Sequence, residues 1–164
     1  MLFWYEAGLR ALSPAVGDTR GATAAISQAW REVDRGLDDP NDTIGLLFVT
    51  PAEIRVIEAR TRSYLGEHDK AVSTYRDAIT SNALQPRDEA SYRTYYAAAL
   101  AKHGDTQTAV TEGLHALTML EGTVKSSRLV AELTPVRAAA ASHSGTDSEE
   151  FRLRFDALGK AARS

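Results

Sequence analysis

Residues Gly66-Glu67-His68-Asp69-Lys70-Ala71-Val72-Ser73-Thr74-Tyr75-Arg76-Asp77-Ala78 decide the reading of this 164-residue chain. A glycine is followed by alanines five and twelve positions later, and the spacing recurs as Gly17, Ala22, Ala29 and as Gly104, Ala109, Ala116. Glycine ends a helix by entering the left-handed conformation that other residues resist. Alanines seven apart lie on one face of the next helix, where small side chains let a neighbouring backbone come close. The pattern predicts helix–turn–helix hairpins stacked on copies of themselves: an all-α fold of about eight helices in four hairpins.

Outward from that stretch, helix signals dominate. In Thr50-Pro51-Ala52-Glu53, threonine caps, proline suits the first helical position and Glu53 closes a capping box, with Val49 and Ile54 placed as a hydrophobic staple. This helix is expected to run to about Tyr64-Leu65 and stop at Gly66. Its partner starts near Asp69 and carries Ala71, Val72, Tyr75, Ala78 and Ile79 as an apolar stripe, and Pro86 breaks the chain after it. The next pair spans roughly Asp88 to His103, then a helix capped by Asp105 that carries Ala109, Val110, Leu114, Leu117 and Leu120. One further helix is expected from about Lys125 to Ser142, bent near Pro135 and closed by Gly145. Thr146-Asp147-Ser148-Glu149-Glu150 opens the last, with Phe151, Phe155 and Leu158 on its apolar face.

At the front, residues from about Leu2 to Ser13 and from Asp18 to Gly36 form the first pair. Glycine turns at 17, 66, 104 and 145 give periods of 49, 38 and 41. The first is long because Asp38-Asp39-Pro40-Asn41-Asp42 is a turn-rich acidic insert, followed by the apolar run Ile44 to Val49, which is expected to fold back over the hairpin. Without a linker or low-complexity tract, residues 1–164 read as a single domain.

Composition narrows the function. A net charge of −3, with 25% charged and 43% hydrophobic residues, is that of a globular protein and argues against direct nucleic-acid binding, which calls for a basic surface. Cysteine is absent. Met1-Leu2-Phe3-Trp4-Tyr5-Glu6 lacks the basic region of a signal peptide, and no stretch has the length of apolar sequence a membrane span needs. A cytoplasmic location without membrane contact is the expectation.

The sequence offers no catalytic constellation. His68, His103, His115 and His143 form no metal-ligand pair, and phosphate loops, nucleophile elbows and dinucleotide fingerprints are all missing. The expectation is no enzyme, no metal and no cofactor. Tyr92, Tyr95 and Tyr96 share one helix flank, either as inter-helix packing or as part of a binding wall. Phe3, Trp4 and Tyr5 cannot all face one core, since successive helical residues are about 100° apart. At least one is expected at an interface, because a helical solenoid needs covered ends.

The order small residue, glycine, alanine, aromatic, alanine resembles the tetratricopeptide repeat: Ala59, Gly66, Ala71, Tyr75 and Ala78 fall on its signature positions. Ala97, Gly104, Ala109 and Ala116 follow, with Gly113 where an aromatic is usual. Gly17, Ala22, Ile26 and Ala29 match in the first hairpin, and Gly145 and Ala157 in the last. The periods exceed the family's usual length. Stretches from Gly104-Asp105 through Leu120, Ser126-Ser127-Arg128 through Leu133 and Glu150-Phe151-Arg152 are similar to the C-terminal half of actinobacterial regulators, which join a helix-turn-helix of the Xre type to tetratricopeptide-like repeats. No compact helix-turn-helix precedes Trp4, so the DNA-binding domain is expected to be absent from this chain.

The resemblance implies an α-α superhelix whose first helix in each pair lines a concave groove. That register places Glu53, Val56, Arg60, Ser63 and Tyr64 on the wall, continued by Ser91, Thr94, Tyr95, Ala98 and Lys102, with Arg128 at the far end. Arg60 and Lys102 suit a carboxylate or acidic peptide, and Tyr64 supplies a rigid contact. The implied function is a non-enzymatic sensor domain of a transcriptional regulator that binds a peptide, protein or small effector. The alternative is a dimerisation or scaffold module joined through Phe3, Trp4 and Tyr5.

Overall fold

Gly66 and Gly104 take φ angles of +78° and +98°, and the hydrogen bonds around them follow one pattern. Glu67 N donates to Arg62 O at 2.9 Å and Gly66 N to Ser63 O at 3.3 Å; Asp105 N donates to Leu100 O at 3.0 Å and Gly104 N to Ala101 O at 3.3 Å. These are two Schellman turns of the same geometry, each satisfying carbonyls the helix end would leave open. Asp105 then caps the next helix, its Oδ1 accepting from Thr108 N at 3.2 Å.

The computed structural model describes residues 19–38, 51–81, 86–122 and 126–161, and the regular structure among them is wholly helical. The helices are α1 (Thr19–Asp38), α2 (Pro51–Tyr64), α3 (His68–Thr80), α4 (Pro86–His103), α5 (Thr106–Gly122), α6 (Ser127–Glu132), α7 (Thr134–Ala141) and α8 (Thr146–Ala161). The expected helix from Leu2 to Ser13, Gly17, residues 39–42 of the expected Asp38–Asp42 insert, the Ile44–Val49 run, and Val49 and Thr50 of the expected staple and cap lie outside the described residues; Asp38, expected in that loop, is the last residue of α1. The all-α fold built from helical hairpins is as expected.

Two further boundaries differ from the sequence reading. The single helix expected from Lys125 to Ser142 is two, α6 and α7, separated at the fully buried Leu133. Pro135 has no N–H for the carbonyl of Ala131, and the Thr134 hydroxyl donates to that oxygen instead, at 2.7 Å. Gly145, with φ +151°, does not close α7, which ends at Ala141. Its carbonyl accepts from Glu149 N at 3.1 Å, so it belongs to the start of α8.

The chain falls into two compact units, Met1–Leu84 and Gln85–Ser164. In the first, α1 packs on α2 and α2 on α3. Ala59, Ala71 and Ala78 have no solvent exposure, and Tyr75 is buried beside them in sequence. On the flank of α2 that faces its neighbours, Glu58 accepts from Trp30 Nε1 of α1 at 3.0 Å and from Arg62 Nε at 3.0 Å. The Arg55 guanidinium carbon stands 5.8 Å from the centre of the Trp30 ring. Arg62 also reaches Glu67, in the turn, at 3.2 Å.

In the second unit α4 packs on α5 and also on α6 and α7, which explains why residues 94 to 100 are all buried. Ala97, Ala109 and Ala116 have no exposure, repeating the first unit's pattern. The position of Tyr75 is taken by Gly113, nine residues after its turn glycine. A Cβ on Gly113 would stand 2.6 Å from Phe151 Cε2, 3.1 Å from Phe151 Cδ2 and 3.2 Å from Val136 Cγ1. Phe151, fully buried on α8, thus fills the space where an aromatic of α5 itself would lie. It stacks with Phe155, ring centres 6.0 Å apart. Around this contact Arg137 of α7 meets Asp156 of α8, both bonds 3.2 Å, and Arg154 of α8 meets Glu121 of α5 at 2.7 and 3.0 Å.

Two expectations follow from this packing. Gly113→Ala is expected to destabilise the otherwise unchanged chain by about 1–3 kcal/mol through overpacking, and Phe151→Ala by about 3–5 kcal/mol through the cavity it leaves. In the Phe151→Ala background the same glycine substitution changes sign and stabilises, by up to about 1 kcal/mol, because the clash with the ring is gone, Val136 has the vacated space to give way into, and alanine favours the helix. A double-mutant cycle in urea reads this directly; additive effects would refute the contact. The second concerns pH. The Arg137 hydrogen bonds hold the Asp156 carboxyl below its ordinary value. A depressed carboxylate contributes stability above its unfolded pKa of about 3.9 and loses it as pH falls through the lower folded value. In an NMR titration, Arg137→Ala is expected to return Asp156 towards about 3.9, and the stability difference between the two proteins to shrink as pH drops below that point.

Candidate binding site

Helix α2 has four distinguishable flanks, set by the 3.6-residue turn. Ala52, Val56 and Ala59 form one buried stripe, with the half-buried Ser63 continuing it. Ile54 and Thr61 are buried on the opposite side, the Thr61 hydroxyl donating to Ile57 O at 2.9 Å. Arg55, Glu58 and Arg62 make the charged flank already described. Glu53, Ile57, Arg60 and Tyr64, at i, i+4, i+7 and i+11, occupy the fourth. Glu53, Ile57 and Arg60 are half-buried there, and Tyr64 is 48% exposed, an unusual value for a large aromatic.

Arg60 and Tyr64 act as a pair. Arg60 Nη2 donates to the Tyr64 hydroxyl at 3.2 Å, and its guanidinium carbon stands 5.6 Å from the ring centre. The ring's negative face holds the planar cation against it. The result is a cation, an exposed aromatic, an aliphatic side chain and a carboxylate along one line of the helix. A guanidinium so held brings positive charge of the kind that pairs with carboxylates, and tyrosine offers contact area at low entropic cost.

Adding 38 residues, the separation of Gly66 and Gly104, carries this flank onto Ser91, Tyr95, Ala98 and Lys102 of α4. There the centre is covered: Tyr95 is 8% exposed and Ala98 is 6% exposed, while Ser91 is half-buried and Lys102 exposed. The expected wall residues therefore divide. Glu53, Arg60 and Tyr64 share one flank of α2. Val56 and Ser63 belong to its packing stripe. Thr94 has no exposure, and its hydroxyl donates to Ala90 O of its own helix at 2.7 Å, so it packs inside the unit rather than lining a wall. Tyr95 and Tyr96 are packing residues too, and Tyr92 is half-buried. Arg128 is exposed near the start of α6. Arg60 belongs to the first unit, Lys102 and Arg128 to the second, so the site is built from α2 alone.

The proposed interface residues Phe3, Trp4 and Tyr5 lie outside the described residues. Ile57 was missed as a wall residue, although the 38-residue offset from Tyr95 marks it. His103, His115 and His143 are exposed, and His143 Nδ1 lies 3.2 Å from the buried Ser148 hydroxyl. Among the described residues, no group of three or more His, Cys, Asp or Glu side chains is placed to hold a metal ion, and no helix is long and apolar enough to cross a membrane. No family model, curated protein or solved structure matches the chain.

Proposed function

We propose that this chain is a non-enzymatic, tetratricopeptide-like binding domain that takes an acidic peptide or protein segment on the Glu53–Ile57–Arg60–Tyr64 flank of α2. The reading rests on one observation above the rest: a half-buried arginine is paired with an exposed tyrosine on a flank whose centre, in α4, is packed away. Two hairpins with the same Schellman turns and the same buried alanines support the repeat assignment. Repeat domains of this kind present one helix of each pair to a ligand, and Arg60 supplies the charge for a carboxylate partner. On this reading the domain serves a cytoplasmic transcriptional regulator as its sensor, and the filled flank shifts the domain between two packings.

An array of peptides with systematically varied carboxylate content and free C-termini tests the assignment. The chain is expected to retain acidic peptides. Arg60→Glu is expected to weaken that binding by at least about tenfold while leaving the thermal melt unchanged, because Arg60 is not part of either buried stripe. Equal retention by the two proteins, or a preference for neutral and basic peptides, would remove Arg60 from the site.

A further inference from the structure

The Arg60 flank of α2 carries two charges of opposite sign, set apart along one line. Glu53 lies in the first turn of the helix, Arg60 about two turns on, and Ile57 between them. The other charged residues of α2, Arg55, Glu58 and Arg62, occupy the opposite flank, so Glu53 and Arg60 set the charge pattern that α2 presents here. Glu53, Ile57 and Arg60 are half-buried, which leaves the two charges less screened than on an open helix face. Arg60 is paired on its C-terminal side, with Tyr64. The 38-residue offset puts Ser91, not a carboxylate, at the matching position of α4, so the opposed charges belong to α2. A uniformly acidic segment would suit Arg60 and meet repulsion at Glu53. A segment with a carboxylate at one point and a cation at another complements both.

Resting on the assignment of this flank as the binding site, we infer that its partner is a charge-paired extended peptide: a carboxylate that meets Arg60 and, about three residues away in either chain direction, a lysine or arginine that meets Glu53. The spacing follows from geometry. Residues 53 and 60 are separated by about 10.5 Å of helix rise. Three residues of polyproline-II chain advance about 9.3 Å and bring the side chain back to the same edge. In a β-strand, side chains three apart point to opposite faces. An extended segment with two spacer residues between acid and base therefore sets both charges against α2 at once, and the spacers pass over the aliphatic Ile57. Glu53 contributes selection more than affinity, because it disfavours segments that place a second carboxylate where the cation belongs.

Fluorescence anisotropy with short, end-blocked, labelled peptides of proline and serine provides the test. One peptide carries glutamate and lysine three apart, and a second carries them adjacent. A third has glutamine in place of the lysine of the first, and a fourth has glutamate there. The chain is expected to bind the first about fivefold more tightly than the second and third, and the fourth most weakly. Glu53→Gln, which keeps a residue type suited to the capping box, is expected to remove the advantage of the first peptide and leave the affinity for the third unchanged. Arg60→Gln is expected to weaken all four. Equal binding of the first and third peptides, both weakened by Arg60→Gln, would overturn the charge pairing and leave the α2 site standing. A preference for lysine that survives Glu53→Gln, or equal binding of the adjacent and three-apart peptides, would do the same. Failure of every peptide to bind, or binding that ignores Arg60→Gln, would overturn the pairing together with the site.

Discussion

Two helices joined by a left-handed glycine approach as closely as their smallest buried side chains permit, and that limit organises both units. Ala59, Ala71 and Ala78 in one hairpin, and Ala97, Ala109 and Ala116 in the other, have no exposed surface. Alanine seams give close contact but bury little apolar area per residue. Each hairpin therefore needs a large side chain to fill the space beside the seam. Tyr75 does so from within α3, while α5 presents Gly113 and receives Phe151 from α8. A single change from aromatic to glycine thereby makes the packing of α8 a condition for completing the second core.

The arginines follow from the same limit. With small residues at the seams, polar contacts between helices lie around them, where long side chains reach across. Arg93 of α4 bridges to Glu112 of α5 at 2.7 Å, Arg154 joins α8 to α5, and Arg137 joins α7 to α8. Burial pushes the Arg93 pKa down, but its hydrogen bonds to Glu89 and Glu112 outweigh that and hold it above the ordinary value. The planar guanidinium suits these two-point contacts better than an ammonium would. Such pairs fix the angle and register of neighbouring helices, while the buried rings and alanines carry the stability.

What was legible in the sequence is what is local. The turns at Gly66 and Gly104, the Asp105 cap and the buried alanines of those two hairpins depend on residues a few positions apart, and the structure places them as the spacing implied; Gly145 instead opens α8, and Ala29 of α1 is only half-buried. The break at Leu133 depends on a substitution of one hydrogen bond for another: Pro135 alone reads as a bend, and only the Thr134 hydroxyl on Ala131 O lets the backbone divide there. Thr94 misled for a related reason. The repeat register put it on a wall, but a threonine that donates to the carbonyl four residues back carries its own partner into the core. The Gly113–Phe151 contact was illegible because the two residues are brought together by tertiary packing alone, and the sequence marks only the missing aromatic.

The contrast between α2 and α4 then has a chemical cause. At the centre of the flank α4 carries Tyr95 and Ala98, which accept cover without leaving a charge behind. The matching residues in α2 are Ile57 and Arg60, and a guanidinium under cover demands acceptors for its donors. Tyr64, where α4 has Lys102, adds an aromatic face that holds the cation in place rather than letting it range through solvent. Long amphipathic side chains of this kind protect the apolar surface beneath them while keeping their polar ends at the boundary. A flank so composed resists burial by another apolar helix, because a covered guanidinium would need acceptors brought to it. The residues that keep α2 from being closed like α4 are therefore the ones on which the proposed carboxylate recognition rests.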